Sequence, residues 1–264
     1  MIRFAANLHS LFTELPFLDR FAPAAEAGFA AVEFTFPYDV PADRISERLQ
    51  RHGLKAAMLH LPAGDWAAGD RGLACQAERF DEFRATLEQG VAYARTIGAG
   101  KLVMMAGLGS RQDPQAEASF RRAVAFAGER LEREGLCLLL KPLDPREIPG
   151  YFLTDFCHVA DLVAELGVPH VKMLFDVYQR QLARGDVAMA LRRRIKQIGH
   201  VQVAAVPDRG EPDDGELNYA YILRRLECLG YDGYIGCDYR PRGRSTLAGL
   251  GWMKPYLPRV RAIA

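Results

Sequence analysis

Leu138-Leu139-Leu140-Lys141-Pro142-Leu143-Asp144 is a run of leucines that delivers a lysine to a proline-broken end, with Glu147 close behind. So short and so continuously apolar a run, following a glycine-punctuated helix, predicts a strand covered on both faces, as in a parallel sheet. Barrels and open α/β sheets gather their chemistry at the carboxyl ends of strands, which is where Lys141 falls. Read locally, the lysine equally marks no more than the point where the strand leaves the core.

Outward from this stretch the same rhythm repeats. Strand-like runs are predicted over 2–8, 31–36, 55–60 and 101–106 before it, and over 171–175, 199–204 and 234–239 after it. Between them lie segments of helical periodicity, closed by Gly28, Gly53 or Gly167-Val168-Pro169. The longest, over about 77–97, carries Phe80, Phe83, Leu87, Val91 and Ala94 at helical spacing, a stripe expected to pack on the core. Eight strand–helix alternations with no linker and no shift in composition predict an α/β protein, a single (β/α)8 TIM barrel spanning 1–264. A doubly wound open sheet is the alternative. No GxGxxG follows the first strand and no GxxxxGK[ST] occurs, so neither signature of nucleotide binding is present.

Composition narrows the function. A formal net charge of +1 gives no electrostatic case for nucleic acid, and Arg192-Arg193-Arg194 falls on a solvated helix face. Five scattered cysteines without a CxxC pair argue against a disulfide frame or zinc knuckle and point to a reducing, cytoplasmic setting. Cys137 and Cys237 lie in apolar runs, as core residues do. No signal peptide and no membrane-length apolar run is expected. Oligomeric state is not legible, and a homo-oligomer stays open; Trp252 and Tyr256 suit either interface or core.

In a barrel the strand-end residues converge: Asn7, Glu33, His60, Lys141, Asp176, His200 with Gln202, and Asp238. Asp65, Trp66, Glu147, Arg209 and Glu211 stand in the loops above them. Any one carboxylate at a strand end often does no more than cap the next helix. Together, carboxylates facing one ammonium are what proton transfer on a small polar molecule needs.

The segments Phe4-Ala5-Ala6-Asn7-Leu8, Val32-Glu33-Phe34-Thr35-Phe36-Pro37-Tyr38, Leu61-Pro62-Ala63-Gly64-Asp65-Trp66-Ala67-Ala68-Gly69, Ile198-Gly199-His200-Val201-Gln202, Arg209-Gly210-Glu211-Pro212 and Gly236-Cys237-Asp238-Tyr239 carry a resemblance. The chain resembles the hydroxypyruvate isomerases, within the xylose isomerase-like barrels, nearly end to end. The resemblance implies interconversion of an aldehyde and a ketone in a small hydroxy or keto acid. It also implies a divalent cation held by Glu, Asp, Gln or His, and Glu from strands five to eight, with the two glutamates moving the proton.

The carry-over is uneven. Asp176 and Gln202 match the ligand pattern, Asp238 stands where the family has Glu, and Lys141 stands where it has the other Glu. Gln179 and His60 replace a usual His and a usual Asn, Met104 replaces another Asn, and Ala205-Val206-Pro207-Asp208 replaces Asp-Asn-Pro-His. Glu147 and Arg209 match substrate-contacting positions. An ammonium 4 Å from a cation costs about 4 kcal/mol per unit charge of the ion at an effective dielectric of 20.

The expectation is therefore no metal and no cofactor, with Lys141 steadying a carbonyl or enediolate oxygen. Asp238 moves the proton, Asp176 and Glu147 orient Lys141, and Arg209 grips a substrate carboxylate. Gln202, His60, Asp65, Trp66 and Glu211 complete the substrate-binding set. A Schiff base at Lys141 ranks lower, because flanking aspartates favour the charged amine. Two alternatives stay open: a non-catalytic relative in which Lys141 is a structural salt bridge, and an ordinary metal isomerase whose ion is displaced onto Glu147, Asp144 or Glu33.

Overall fold

The structure, a computed structural model, describes residues 2–257. Its eight strands are β1 (Arg3–Asn7), β2 (Ala31–Phe34), β3 (Lys55–His60), β4 (Lys101–Met104), β5 (Cys137–Leu140), β6 (Val171–Asp176), β7 (Ile198–Val203) and β8 (Tyr234–Cys237). They pair in parallel in chain order, and β8 returns to β1, so the barrel is closed and the open-sheet alternative is excluded. The leucine run is β5, with Lys141 directly beyond its end.

Helices cover the outside: α1 (Phe21–Glu26), α2 (Ala42–His52), α3 (Phe80–Ile97), α4 (Pro114–Glu132), α5 (Phe156–Leu166), α6 (Val177–Arg184), α7 (Val187–Arg194), α8 (Tyr219–Cys228) and the short α9 (Thr246–Gly249). The aromatic and aliphatic stripe of α3 is turned inward, with Phe83, Leu87, Val91 and Ala94 buried. Two expected boundaries moved. The one helical stretch expected from β6 to about residue 195 is broken at Gly185 into α6 and α7, and α4, whose periodicity predicts a helix over 117–133, begins earlier because Asp113 caps it ahead of Pro114. Trp252 packs edge-on against Phe4, with ring centroids 5.2 Å apart, so within this fold it covers the core. Among the described residues no helix is long and apolar enough to cross a membrane.

Side chains alternate along each strand, so Leu139 and Lys141, Leu174 and Asp176, His200 and Gln202 share the barrel interior pairwise. Met58, Val103, Leu139 and Leu174 form one buried apolar layer there. Above it the interior turns polar, with Asn7, Glu33, Lys141, Asp176, His200 and Gln202 all buried. The apolar layer closes the floor, and the polar ring faces the carboxyl ends where the loops meet.

Candidate active site

Glu33 is a fully buried member of the ring. Its carboxylate crosses the barrel and accepts from His200 Nε2 at 2.7 Å and from Gln202 Nε2 at 2.5 Å. Strand β8 leaves room for it only because residue 236 is glycine: a Cβ there would lie 2.2 Å from Glu33 Oε2. A carboxylate offers no donor, so it fixes the Gln202 amide with its nitrogen inward and its oxygen toward the barrel mouth. Burial, opposed by Glu33, keeps the pKa of His200 below the usual histidine value. A neutral ring that gives Nε2–H to Glu33 satisfies both.

That outward oxygen of Gln202 accepts from Lys141 Nζ at 2.6 Å. The same ammonium lies 3.1 Å from Asp176 Oδ2 and 3.2 Å from Asp238 Oδ2. Burial alone would lower the pKa of Lys141; Asp176 and Asp238 more than offset it, and the net shift is upward. The amine is thus held protonated, against the neutral amine a Schiff base requires. Burial would raise Asp238, but Lys141 and Arg209 hold it well below the usual carboxylate range. Asn7 Nδ2 donates to its other oxygen at 2.9 Å.

Arg209, in the loop after β7, has a left-handed backbone with φ 55°. Its guanidinium donates to Asp238 Oδ2 at 3.0 Å and to Glu147, and lies over the Tyr178 ring. The expected grip of Arg209 on a substrate carboxylate is therefore already taken by two protein carboxylates. Glu147 does not orient Lys141 as expected; its partner is Arg209. The charges Lys141, Arg209, Asp176, Asp238 and Glu147 form one continuous chain of ion pairs.

These groups border a cavity of about 300 Å³ lined by His60, Trp66, Lys141, Glu147, Arg209 and Asp238 among others. That volume lies at the small end of ligand sites and suits a molecule of a few carbons. A larger cleft of about 450 Å³ between α2 and α3 is lined by Leu49, Gly53, Thr96 and Gly98 and holds no comparable charge cluster. His60 sits edge-on to Phe36, its Nδ1 is buried without a hydrogen-bond partner, and burial with Lys141 nearby lowers its pKa to about 3.

Three expected contacts fall elsewhere. Asp65 turns its carboxylate onto Ala68 N at 3.0 Å, inside its own loop. Glu211 is buried against Arg242, 2.8 Å from its Nε. Gln202 lies beneath Lys141, accepting from its Nζ, and is not among the residues that line the cavity. Gln179 likewise serves the backbone, accepting from Asp144 N at 2.7 Å. Sequence reasoning missed Thr35, Phe36, Arg71, Met105, Leu143 and Ile148, which also line the cavity. Of these, Arg71 lies one residue past Asp70, which follows the Asp65–Gly69 turn cluster, and nothing in the local sequence sets it apart.

The residues present do not fit the divalent ion that the fold family implies. Oxygens of Asp176, Gln202 and Asp238, three of its would-be ligands, surround an ammonium, and the fourth position is the ammonium itself. Among the described residues no group of three or more His, Cys, Asp or Glu could hold a metal.

The sequence profile described as xylose isomerase-like TIM barrel matches residues 21–256. A 2-oxo-tetronate isomerase of Cupriavidus necator is 46% identical over 98% of this chain and 100% of its own length. The hydroxypyruvate isomerase of Escherichia coli is 38% identical over 97% of this chain and 100% of its own. A crystal structure from Brucella melitensis, described as AP endonuclease, family 2, superposes with a TM-score of 0.94 at 42% identity, covering 98% of this chain and 100% of that one.

Proposed function

The chain belongs to the xylose isomerase-like TIM barrel family and is an enzyme of the isomerase kind, and from that premise we propose that it interconverts the aldehyde and ketone forms of a small hydroxy or keto acid with Lys141 in place of a metal ion. The names of its relatives make hydroxypyruvate and 2-oxo-tetronate the acids to try first. The reading is carried by one observation: the Lys141 ammonium stands among Gln202, Asp176 and Asp238 at 2.6, 3.1 and 3.2 Å, at the edge of the cavity.

In the forward step the carbon next to the substrate carbonyl loses a proton to Asp238, and the C–H electron pair forms the carbon–carbon double bond of an enediolate. The former carbonyl oxygen gains the negative charge, and Lys141 donates to it. A preorganised cation in a water-poor site is worth several kcal/mol to such an oxyanion. As Lys141 turns toward the substrate oxygen it loosens from Asp238, whose basicity then rises, while Arg209 stays paired with it. Return of the proton to the neighbouring carbon, with a proton passing between the two oxygens, completes the isomerisation. Asp176 and Gln202 hold Lys141 throughout.

The test is turnover of hydroxypyruvate and 2-oxo-tetronate by enzyme stripped with chelator. Undiminished turnover in chelator, lost in Lys141→Ala, supports the reading. Activity abolished by chelator and restored by Mg²⁺ or Mn²⁺ contradicts it, and absence of turnover with either acid would favour Lys141 as a purely structural bridge.

A further inference from the structure

Arg71 is the one cation of the cavity wall that forms no ion pair with a protein carboxylate among the described residues. Its neighbour Asp70 is committed to Arg79, at 2.6 and 2.8 Å, and to the backbone amide of Asp65 at 2.7 Å. Arg71 instead lies over the Trp66 indole, its guanidinium carbon 4.0 Å from the ring centroid. Nη1 is tied to two backbone oxygens, Trp66 O at 3.0 Å and Asp70 O at 2.6 Å. Both donors of Nη1 are thereby used, while Nη2 and Nε have no protein acceptor among the described residues. That edge of an arginine is the fork that matches a carboxylate in two parallel hydrogen bonds.

The loop is built to hold this pose. Gly72 has φ +110°, and a Cβ on it would fall 2.2 Å from Met105 O; the backbone of Asp70 donates to Asp65 O at 2.9 Å. The charge balance points the same way. Glu147, Asp176 and Asp238 outnumber Lys141 and Arg209 by one, so a carboxylic acid anion would meet net repulsion without a further cation.

We propose that Arg71, stacked on Trp66, is the residue that takes the substrate's carboxylate, and that it sets the preference of this site for acid anions over neutral hydroxy carbonyl compounds. This deepens the isomerase reading and rests on it for the substrate class. The carboxylate docks on Nη2 and Nε of Arg71, and the carbonyl end reaches Lys141. Arg209 keeps its ties to Glu147 and Asp238.

The experiment compares wild type, Arg71→Lys and Arg71→Gln, each checked for an unchanged melting temperature. Two probes are used: hydroxypyruvate in turnover, and D-glycerate, an inert acid anion, in titration by calorimetry and by fluorescence of Trp66, which is 42% exposed. Loss of a charge-assisted fork predicts KM for hydroxypyruvate and Kd for D-glycerate each raised about 10- to 100-fold in Arg71→Gln, with partial retention in Arg71→Lys. In the same variant kcat changes less than about 3-fold, and binding of neutral dihydroxyacetone is unaffected. Unchanged KM and Kd in Arg71→Gln, or equal loss for dihydroxyacetone, overturns the assignment. If wild type turns over neither hydroxypyruvate nor 2-oxo-tetronate, the isomerase reading falls alone, because D-glycerate binding still decides the role of Arg71.

Discussion

The ammonium of Lys141 stands 3.2 Å from Oδ2 of Asp238, so two side chains from the ends of different strands meet as opposite charges at the barrel mouth. Around them Asp176, Gln202 and Arg209 complete a set in which every charge has a partner. Removing a single member leaves the others buried and unmatched.

Lys141→Met is expected to cost about 3–5 kcal/mol of folding stability, because Asp176 and Asp238 lose the cation between them. Thermal unfolding measures it. Turnover falls by about a hundredfold or more in the same variant. Stability unchanged with activity lost would mean the ammonium is not load-sharing in the folded state.

Gly236→Ala tests the layer below. The added methyl meets Glu33, whose displacement releases the Gln202 amide and the His200 ring. Overpacking of this kind costs about 1–3 kcal/mol. Because Gln202 then loses its fixed orientation, kcat should drop more than KM rises. Retained kcat with lowered stability would show that the Glu33–Gln202 contact serves packing alone.

The pH–rate profile follows from the signs of two shifts. Asp238 is held below the ordinary carboxylate range, so its charge is lost only as pH falls through that lowered value. Lys141 is shifted upward, so its charge is lost only as pH rises beyond the ordinary lysine range. Between about pH 5 and 9 kcat/KM should be level, provided the substrate stays ionised. A limb near pH 6–7 that vanishes in His60→Asn would instead assign the proton transfer to an imidazole.

His60 is expected to shape acid stability. Its pKa is about 3 when folded and near 6.5 when unfolded, so between those values the unfolded chain binds more protons. Stability is therefore full above about pH 6.5 and declines as pH falls toward 3. His60→Asn, which restores an amide at this position, should flatten the fall of melting temperature between pH 6.5 and 4. An unaltered slope would place the acid-sensitive group elsewhere, His9 being the next in order with a pKa lowered to about 4 by burial and Arg20.

Much of this architecture is written in local sequence. The leucine run before Lys141 and seven companion runs specify a closed parallel barrel because strands covered on both faces need apolar residues on both. The strand-end rule likewise places Lys141, Asp176 and Asp238 together, since alternation fixes which side chains point inward. Loop residues escape that rule. Asp65 and Glu211 read as candidates from their charge, yet each closes a contact near its own loop. Arg71 became visible only through what its neighbours do: Asp70 turns away to Arg79, and Trp66 supplies the surface on which the guanidinium lies. Gln202 reads as a binding residue, but its amide is drawn down by Glu33, a partner 169 positions away.

The central claim, that an ammonium holds the place of a divalent ion, is most directly tested by Mn²⁺ titration followed by electron paramagnetic resonance. For wild type the six-line signal of free Mn²⁺ should remain undiminished at stoichiometric protein, and in Lys141→Glu it should be quenched as the ion binds. Stoichiometric quenching by the wild-type protein that is lost in Asp176→Asn would contradict the account.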